Sequence, residues 1–310
     1  MANGEIVFYG TAAIGLPILR ELHDHFRLSL IITQPDSRGG RHRQEIIPAV
    51  KRFALDNNVP LLQPPTLHDP GLAEMIGSKQ PLIAVVVAYG QFIPRTLYVL
   101  PQWNTINVHF SLLPAYRGAA PVQRAIENGE TRSGITIFEI DARMDAGQIW
   151  AQAEVAIAAG DTTASFQRRL GEMAAPFMHR TLEQIMAGNI RKQPQDDSLA
   201  TLAPAVRKNE GRVDWALPAG RLINKLRAFT PWPGLFFYME NRLVKIIGAN
   251  QKGQSHHAET GEILSLNDQG LEVACGQNSV IILTAIQPEG KKTMTPRQYS
   301  LGNRLPVRLQ

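Results

Sequence analysis

Cysteine is almost absent: Cys275 is the one thiol in 310 residues. That excludes an internal disulfide framework and any zinc site built from several thiolates. A reducing compartment is expected. No apolar run reaches the roughly 18 residues a membrane helix needs. The start, MANGEIVFYG, has no basic stretch followed by a long apolar run, so no signal peptide is expected. These absences together predict a cytoplasmic protein with no membrane partner. An excess of charge is also missing from the first two thirds. Residues 1–207 hold 19 basic and 19 acidic side chains, whereas Lys208 onward holds 13 basic and 8 acidic, so the whole net charge of +5 lies in the last third. A basic third of this kind suits a polyanionic partner, although a merely solvated surface would read the same way.

Hydrophobic residues make up 44% and charged residues 19%, an ordinary balance for a folded chain, and the length favours two domains. EIVFYG (5–10), LSLIITQP (28–35), PLIAVVVAYG (81–90), INVHF (106–110) and SGITIFEID (133–141) read as buried strands. Between them lie helical patterns: GLPILREL (15–22), IIPAVKRFALDNN (46–58) and AAPVQRAIENG (119–129), then a long one over 163–188. Strand–helix alternation predicts an α/β fold, a mostly parallel sheet covered on both faces. Ligands in such sheets bind beyond the C-terminal strand ends.

After residue 188 the character changes. We expect residues 1–188 to form one domain, 189–207 a polar, proline-containing linker and 208–310 a second domain. The second should hold a helix over 213–229, a hairpin turning at Glu240-Asn241, and about three more short strands with a turn at Asp268-Gln269-Gly270. A helix with several short strands predicts a small OB-like β-barrel.

The informative stretch is INVHFSLLPAYRGAAPVQRAI (106–126). Period-two alternation puts Asn107 and His109 on one face, about 7 Å apart. An imidazole moves protons near neutral pH. An amide can donate to the oxygen that turns negative in a tetrahedral intermediate. Asp145, in the loop after the next strand, could orient the ring and favour imidazolium. The pattern therefore suits acyl transfer. The same residues equally describe a buried histidine on a backbone carbonyl and an asparagine capping a turn.

N-V-H-x-S-L-L-P-x-x-R-G-A-A-P-x-Q, followed by G-I-T-I-x-x-I-D and D-A-G, resembles the formyltetrahydrofolate-dependent formyltransferases. The likeness begins at Phe8, Gly10 and Thr11, includes Thr33-Gln34-Pro35-Asp36 and Val86–Gly90, and extends through Arg227-Ala228-Phe229, Pro231-Trp232-Pro233 and Gln287-Pro288 to Gly290-Lys291-Lys292. The later matches are similar to the tRNA-modifying branch. The resemblance implies a Rossmann-like formyltransferase domain and transfer of a formyl group from 10-formyltetrahydrofolate, a co-substrate, to the amino group of methionyl-initiator-tRNA. It implies Asn107, His109 and Asp145 as the catalytic trio, and Ser111, Leu112, Leu113, Pro114, Tyr89, Gly90 and Asp141 as the folate site. It implies tRNA contacts from Arg38, Arg41 and Arg43 in a glycine-containing loop, and from Lys291 and Lys292. A monomer without a metal is expected. A folate-dependent N-formyltransferase acting on a small amine, such as an amino sugar nucleotide, is the alternative.

The chain departs from the family pattern in places. Phe110 follows the histidine where glycine is usual, Arg143 and Ala146 replace glycine and threonine around Asp145, and the first turn reads Gly10-Thr11-Ala12-Ala13-Ile14-Gly15. That turn lacks the Gly-Lys-Ser/Thr of a P-loop. His23 and His25 read as surface residues, His256-His257 as an exposed pair in a polar turn, Cys275 as packing, and Trp215 and Trp232 as hinge and core packing.

Overall fold

The computed structural model describes residues 4–39, 44–253 and 255–309. The chain divides into two compact units, Met1–Pro121 with Arg132–Ala156 and Gln167–Pro204, and Val122–Thr131 with Ile157–Phe166 and Ala205–Gln310.

In the first unit the strands are β1 (Glu5–Gly10), β2 (Arg27–Ile32), β3 (Ser37–Gly39), β4 (Gln44–Ile46), β5 (Leu61–Leu62), β6 (Ile83–Val87), β7 (Thr105–His109), β8 (Arg132–Glu139) and β9 (Ile149–Ala156). Among the described residues seven of these form one sheet in the order β5-β2-β1-β6-β7-β8-β9, and β3 and β4 pair separately. The run from β5 to β7 is parallel. The last two strands, β8 and β9, are antiparallel. IAVVV in β6 is buried at every position, as expected of a central strand covered on both faces. By contrast β9 is an edge strand without clean alternation, which is why its sequence carries no clear strand signal.

Helices complete the layers. α1 (Leu16–His25) buries Ile18, Leu19 and Leu22 at helical spacing. α2 (Ala49–Asp56) starts after Pro48, whose fixed φ suits the N-cap position. α3 (Pro70–Ser78) is capped by Asp69, whose side chain accepts from the Gly71 N–H. α4 (Arg95–Tyr98) is one turn long and α6 (Thr163–Met186) is the long helix, in this unit from Gln167 on; α5 (Pro121–Asn128) follows β7 in sequence but from Val122 on belongs to the second unit. Each fully buried aliphatic or aromatic side chain contributes about 1.5–3 kcal/mol by leaving water. Strand order reverses direction at β1 and β6: one branch of the sheet grows through β2 to β5, the other through β7 to β9. The crevice beyond the C-terminal ends of β1, β6 and β7 is thus the place the topology provides for a ligand.

The second unit contains α7 (Ala219–Ala228), β10 (Leu235–Met239), β11 (Arg242–Lys252), β12 (Ile263–Asn267), β13 (Gly270–Ala274), β14 (Val280–Pro288) and α8 (Pro296–Ser300). Among the described residues its five strands form an antiparallel sheet in the order β10-β11-β14-β13-β12. Leu222, Leu235, Phe237, Val273, Ile281 and Leu283 fill its core. The helix starts six residues later than its apolar pattern, because Pro218 supplies the N-cap and Val213 pairs with Phe236 instead. The β10–β11 hairpin turns at Glu240 and Asn241, both at positive φ (48° and 64°), the conformation a tight two-residue turn requires.

Two surface expectations are corrected here. His256 is buried, with its Nε2–H between the carbonyls of Cys275 (3.0 Å) and Ser279 (3.1 Å). Trp215 packs edge-on against Phe237, but Trp232 is exposed rather than part of the core. No helix among the described residues is long and apolar enough to cross a membrane.

Candidate active site

β7 ends with its apolar residues Ile106 and Val108 in the core and Asn107 and His109 facing a cavity of about 470 Å³. That volume suits a small organic ligand. Val86, Phe92, Ile93, Phe138, Ile140 and Met144 supply apolar walls. Asn107, His109, Asp141 and Asp145 are polar side chains among the lining residues, together with Gln91 and Arg143. Phe92 and Met144 are 59% and 65% exposed and give the cavity an apolar lip.

Each ring nitrogen of His109 faces an oxygen. Nε2 lies 2.9 Å from the Tyr116 carbonyl, and Nδ1 lies 3.6 Å from Asp145 Oδ2. The shorter contact holds a proton on Nε2 in the neutral ring. Nδ1 then carries a lone pair toward a carboxylate. Only the doubly protonated ring would satisfy both oxygens. Burial opposes that charge and wins: it holds the His109 pKa below the usual 6.5, while Asp145 and the Tyr116 carbonyl push the other way. The expected bias toward imidazolium is therefore reversed at rest. A proton reaching Nδ1 would nonetheless meet a carboxylate already in place.

Asp145 sits in a tightly built loop. Its φ is +51°, a conformation aspartate tolerates better than most residues. Its Oδ2 accepts from the Gly118 N–H at 2.7 Å. Gly147 is required two residues on, since a Cβ there would lie 1.7 Å from the Glu139 carbonyl. Gln195 Nε2 donates to the carbonyls of Asp145 (2.9 Å) and Gly147 (2.8 Å). Arg117 in turn holds Gln195 Oε1 from Nε (3.1 Å) and Nη2 (2.7 Å) and reaches Asp197 at 2.7 Å. Arg143, one of the departures, donates to the other oxygen of Asp197 at 2.6 Å. The two guanidinium groups, Arg143 first, hold the Asp197 carboxyl below its usual range. Sequence reading missed Gln195, Arg117 and Asp197. Residues 193–203 have no period, and their order comes from bridges of Gln193 to Ile149 and Leu202 to Arg117.

Phe110 is buried on the cavity side and is not among the described residues with positive φ, so replacing glycine there costs no left-handed strain. Tyr89 and Gly90 line the cavity, where Thr11 Oγ1 and Gln34 Nε2 both donate to the Tyr89 carbonyl. The Tyr89 hydroxyl is buried, which pushes its pKa up to about 12. Ser111, Leu112, Leu113 and Pro114 are not among the lining residues. Ser111 Oγ donates to the Ala115 carbonyl, and the Leu113 carbonyl accepts from Gln152, so these residues brace the turn after β7. Arg38 lies in β3, while Arg41 and Arg43 fall outside the described residues. Lys291 and Lys292 are exposed in the second unit.

A buried imidazole and an amide beside a carboxylate, at the rim of an apolar cavity, form a site for moving an acyl group and a proton. Family comparison gives that class its name: residues 6–182 match the model for formyl transferase and residues 205–304 the model for the formyl transferase C-terminal domain. The chain belongs to the formyl transferase family. Its relatives include a methionyl-tRNA formyltransferase of Myxococcus xanthus (strain DK1622), 37% identical over 98% of this chain and 97% of the relative. A methionyl-tRNA formyltransferase of Geobacillus thermodenitrificans (strain NG80-2) is also 37% identical, over 97% of this chain and 96% of the relative. Among solved structures, the sugar 3N-formyl transferase WlaRD, crystallised in the presence of dTDP and 5-N-formyl-THF, superposes with a TM-score of 0.68 at 18% identity, covering 94% of this chain and 100% of that one. This last likeness concerns the fold.

Proposed function

We propose that the chain transfers a formyl group from 10-formyltetrahydrofolate to the amino group of methionyl-initiator-tRNA, acting in the cytoplasm as a monomer. The observation that carries this reading is full-length similarity to methionyl-tRNA formyltransferases in a chain that gathers Asn107, His109 and Asp145 at one cavity. The apolar walls suit a planar heteroaromatic group, and Asp141 and the Tyr89–Gly90 loop lie where polar edges of such a group could be met. Ser111–Pro114 would act by bracing that wall.

Attack of the amine on the formyl carbon makes a tetrahedral oxyanion. Asn107 donates to it. His109, neutral at rest, takes the amine's proton at Nδ1, where Asp145 stabilises the new charge, and returns it to the departing folate nitrogen. The formyl carbon thus gains a bond to the amine and loses one to folate, with no net proton change at the ring. Residues 1–188 would carry this chemistry and 208–310 would bind tRNA, joined through 189–207. Arg38, Arg41, Arg43, Lys291 and Lys292 would neutralise phosphates.

Incubation with 10-formyltetrahydrofolate and charged initiator tRNA should yield formyl-methionyl-tRNA. His109→Ala should slow it at least about 10²-fold. Undiminished turnover in the Asn107→Ala/His109→Ala double variant would remove this mechanism, and formylation of an amino sugar nucleotide in place of the tRNA would favour the small-amine reading.

A further inference from the structure

On the first unit, well away in sequence from the catalytic loops, two helices present matching pairs. α1 carries Glu21 and His25, and α6 carries His179 and Glu183, each pair at i, i+4 and so on one helix face. Gly171 lets these helices approach: a Cβ there would come within 2.8 Å of the Ile14 carbonyl and 3.6 Å of Pro17. One ligand atom from each of Glu21, His25 and His179 falls within 4.8 Å of the others. We propose that these three side chains bind a divalent cation of the zinc class, clipping α1 to α6.

The donor chemistry selects that class. Two imidazole nitrogens and a carboxylate oxygen suit zinc and its neighbours, whereas calcium and magnesium take oxygen-rich sets. Metal–ligand bonds of about 2.0–2.1 Å at tetrahedral angles place ligand atoms about 3.3 Å apart. Glu21 Oε1 already lies 3.4 Å from His25 Nε2, its 2.6 Å contact with His179 Nδ1 must open, and the two imidazoles must settle to the same spacing from within 4.8 Å. The opposite nitrogen of His179, Nε2, lies 3.4 Å from Glu183 Oε1. A carboxylate behind the ring holds the proton on Nε2 and leaves Nδ1 as the ligand, the usual outer arrangement at zinc-bound histidines. Phe26 packs edge-on against His179 at 5.1 Å and restrains the ring further. Water would fill the fourth position, since His25 is half exposed. The same contacts also describe hydrogen-bonded ion pairs needing no cation, and the experiment separates the two.

Full-length protein without a polyhistidine tag is stripped with chelator and dialysed against zinc, then against cobalt(II) as a spectroscopic probe. One equivalent of zinc per chain is expected, with cobalt(II) giving ligand-field absorption that zinc abolishes. Glu183→Ala should weaken zinc about 10–100-fold, and His25→Ala and His179→Ala should weaken it more. His257→Ala should leave it unchanged. Saturating zinc should raise the melting temperature of the wild type and not of His25→Ala, an exposed change that spares the core. Absence of stoichiometric zinc in the wild type, or wild-type affinity in both histidine variants, would overturn the proposal.

Discussion

Two buried histidines in this chain make the same first contact and yet stand in different chemistry. His109, at the end of β7, and His256, in the second unit, each direct Nε2 at backbone carbonyls. The difference is at the other nitrogen. His256 Nδ1 is buried with no hydrogen-bond partner among the described residues, so that ring serves through Nε2 alone, tying two carbonyls together. His109 Nδ1 faces Asp145 across 3.6 Å at the wall of a cavity. A carbonyl contact alone thus says nothing about function. What distinguishes a proton carrier is an acceptor placed at the nitrogen that has no proton yet.

Substitutions can break that comparison. The largest effect is expected at the oxyanion: Asn107→Ala should lower kcat about 10²–10³-fold, equivalent to about 2.7–4 kcal/mol, with an unchanged melting temperature. A smaller change belongs to the second histidine. His256→Ala leaves two buried carbonyls without their donor and should cost about 1–3 kcal/mol in denaturant unfolding while kcat stays the same. Loss of turnover in that variant would mean that the two histidines are not as different as their surroundings suggest.

The pH profile sharpens the contrast. If neutral His109 is the working form, the acid limb of kcat/KM should have its midpoint below 6.5, because burial depresses that pKa. Asp145→Asn removes an upward push and should move the limb to still lower pH, in addition to slowing the reaction. A limb that moves upward would mean that Asp145 does not face the titrating group. The linked effect on stability has a definite sign. The unfolded chain protonates this histidine first, so its contribution falls as pH drops below about 6.5 and levels off below the folded pKa. The smallest effect is expected at the basic surface. Lys291→Ala and Lys292→Ala should each lower the slope of log affinity for tRNA against log salt by about 1. An unchanged slope would take those lysines out of the phosphate contacts.

Much of this was visible in the chain itself, for physical reasons that also mark the limit. β6 and β7 are legible because central parallel strands need unbroken apolar runs, and Asn107 and His109 stand out because they interrupt one. The turn at Glu240-Asn241 is readable from a polar pair between two apolar runs, with Asn241 a residue that tolerates positive φ. β9 is not, because an edge strand half in water needs no strict alternation. The burial of His256 is not legible, since its neighbours in sequence are polar and its partners, the Cys275 and Ser279 carbonyls, lie 19 and 23 residues later. His109 was expected to lean toward imidazolium, because a sequence shows the nearby carboxylate and not the depth of burial.

The grip of Gln195 on the Asp145 and Gly147 carbonyls has one more consequence. A connector tolerates inserted or deleted residues, since nothing depends on its length. Between Gln193 and Ala203 the chain is instead a brace, pinned at both ends and in the middle. Altering its length by even one residue would shift the register of a contact about fifty positions upstream in sequence, so this aperiodic stretch should resist the indels that its composition invites.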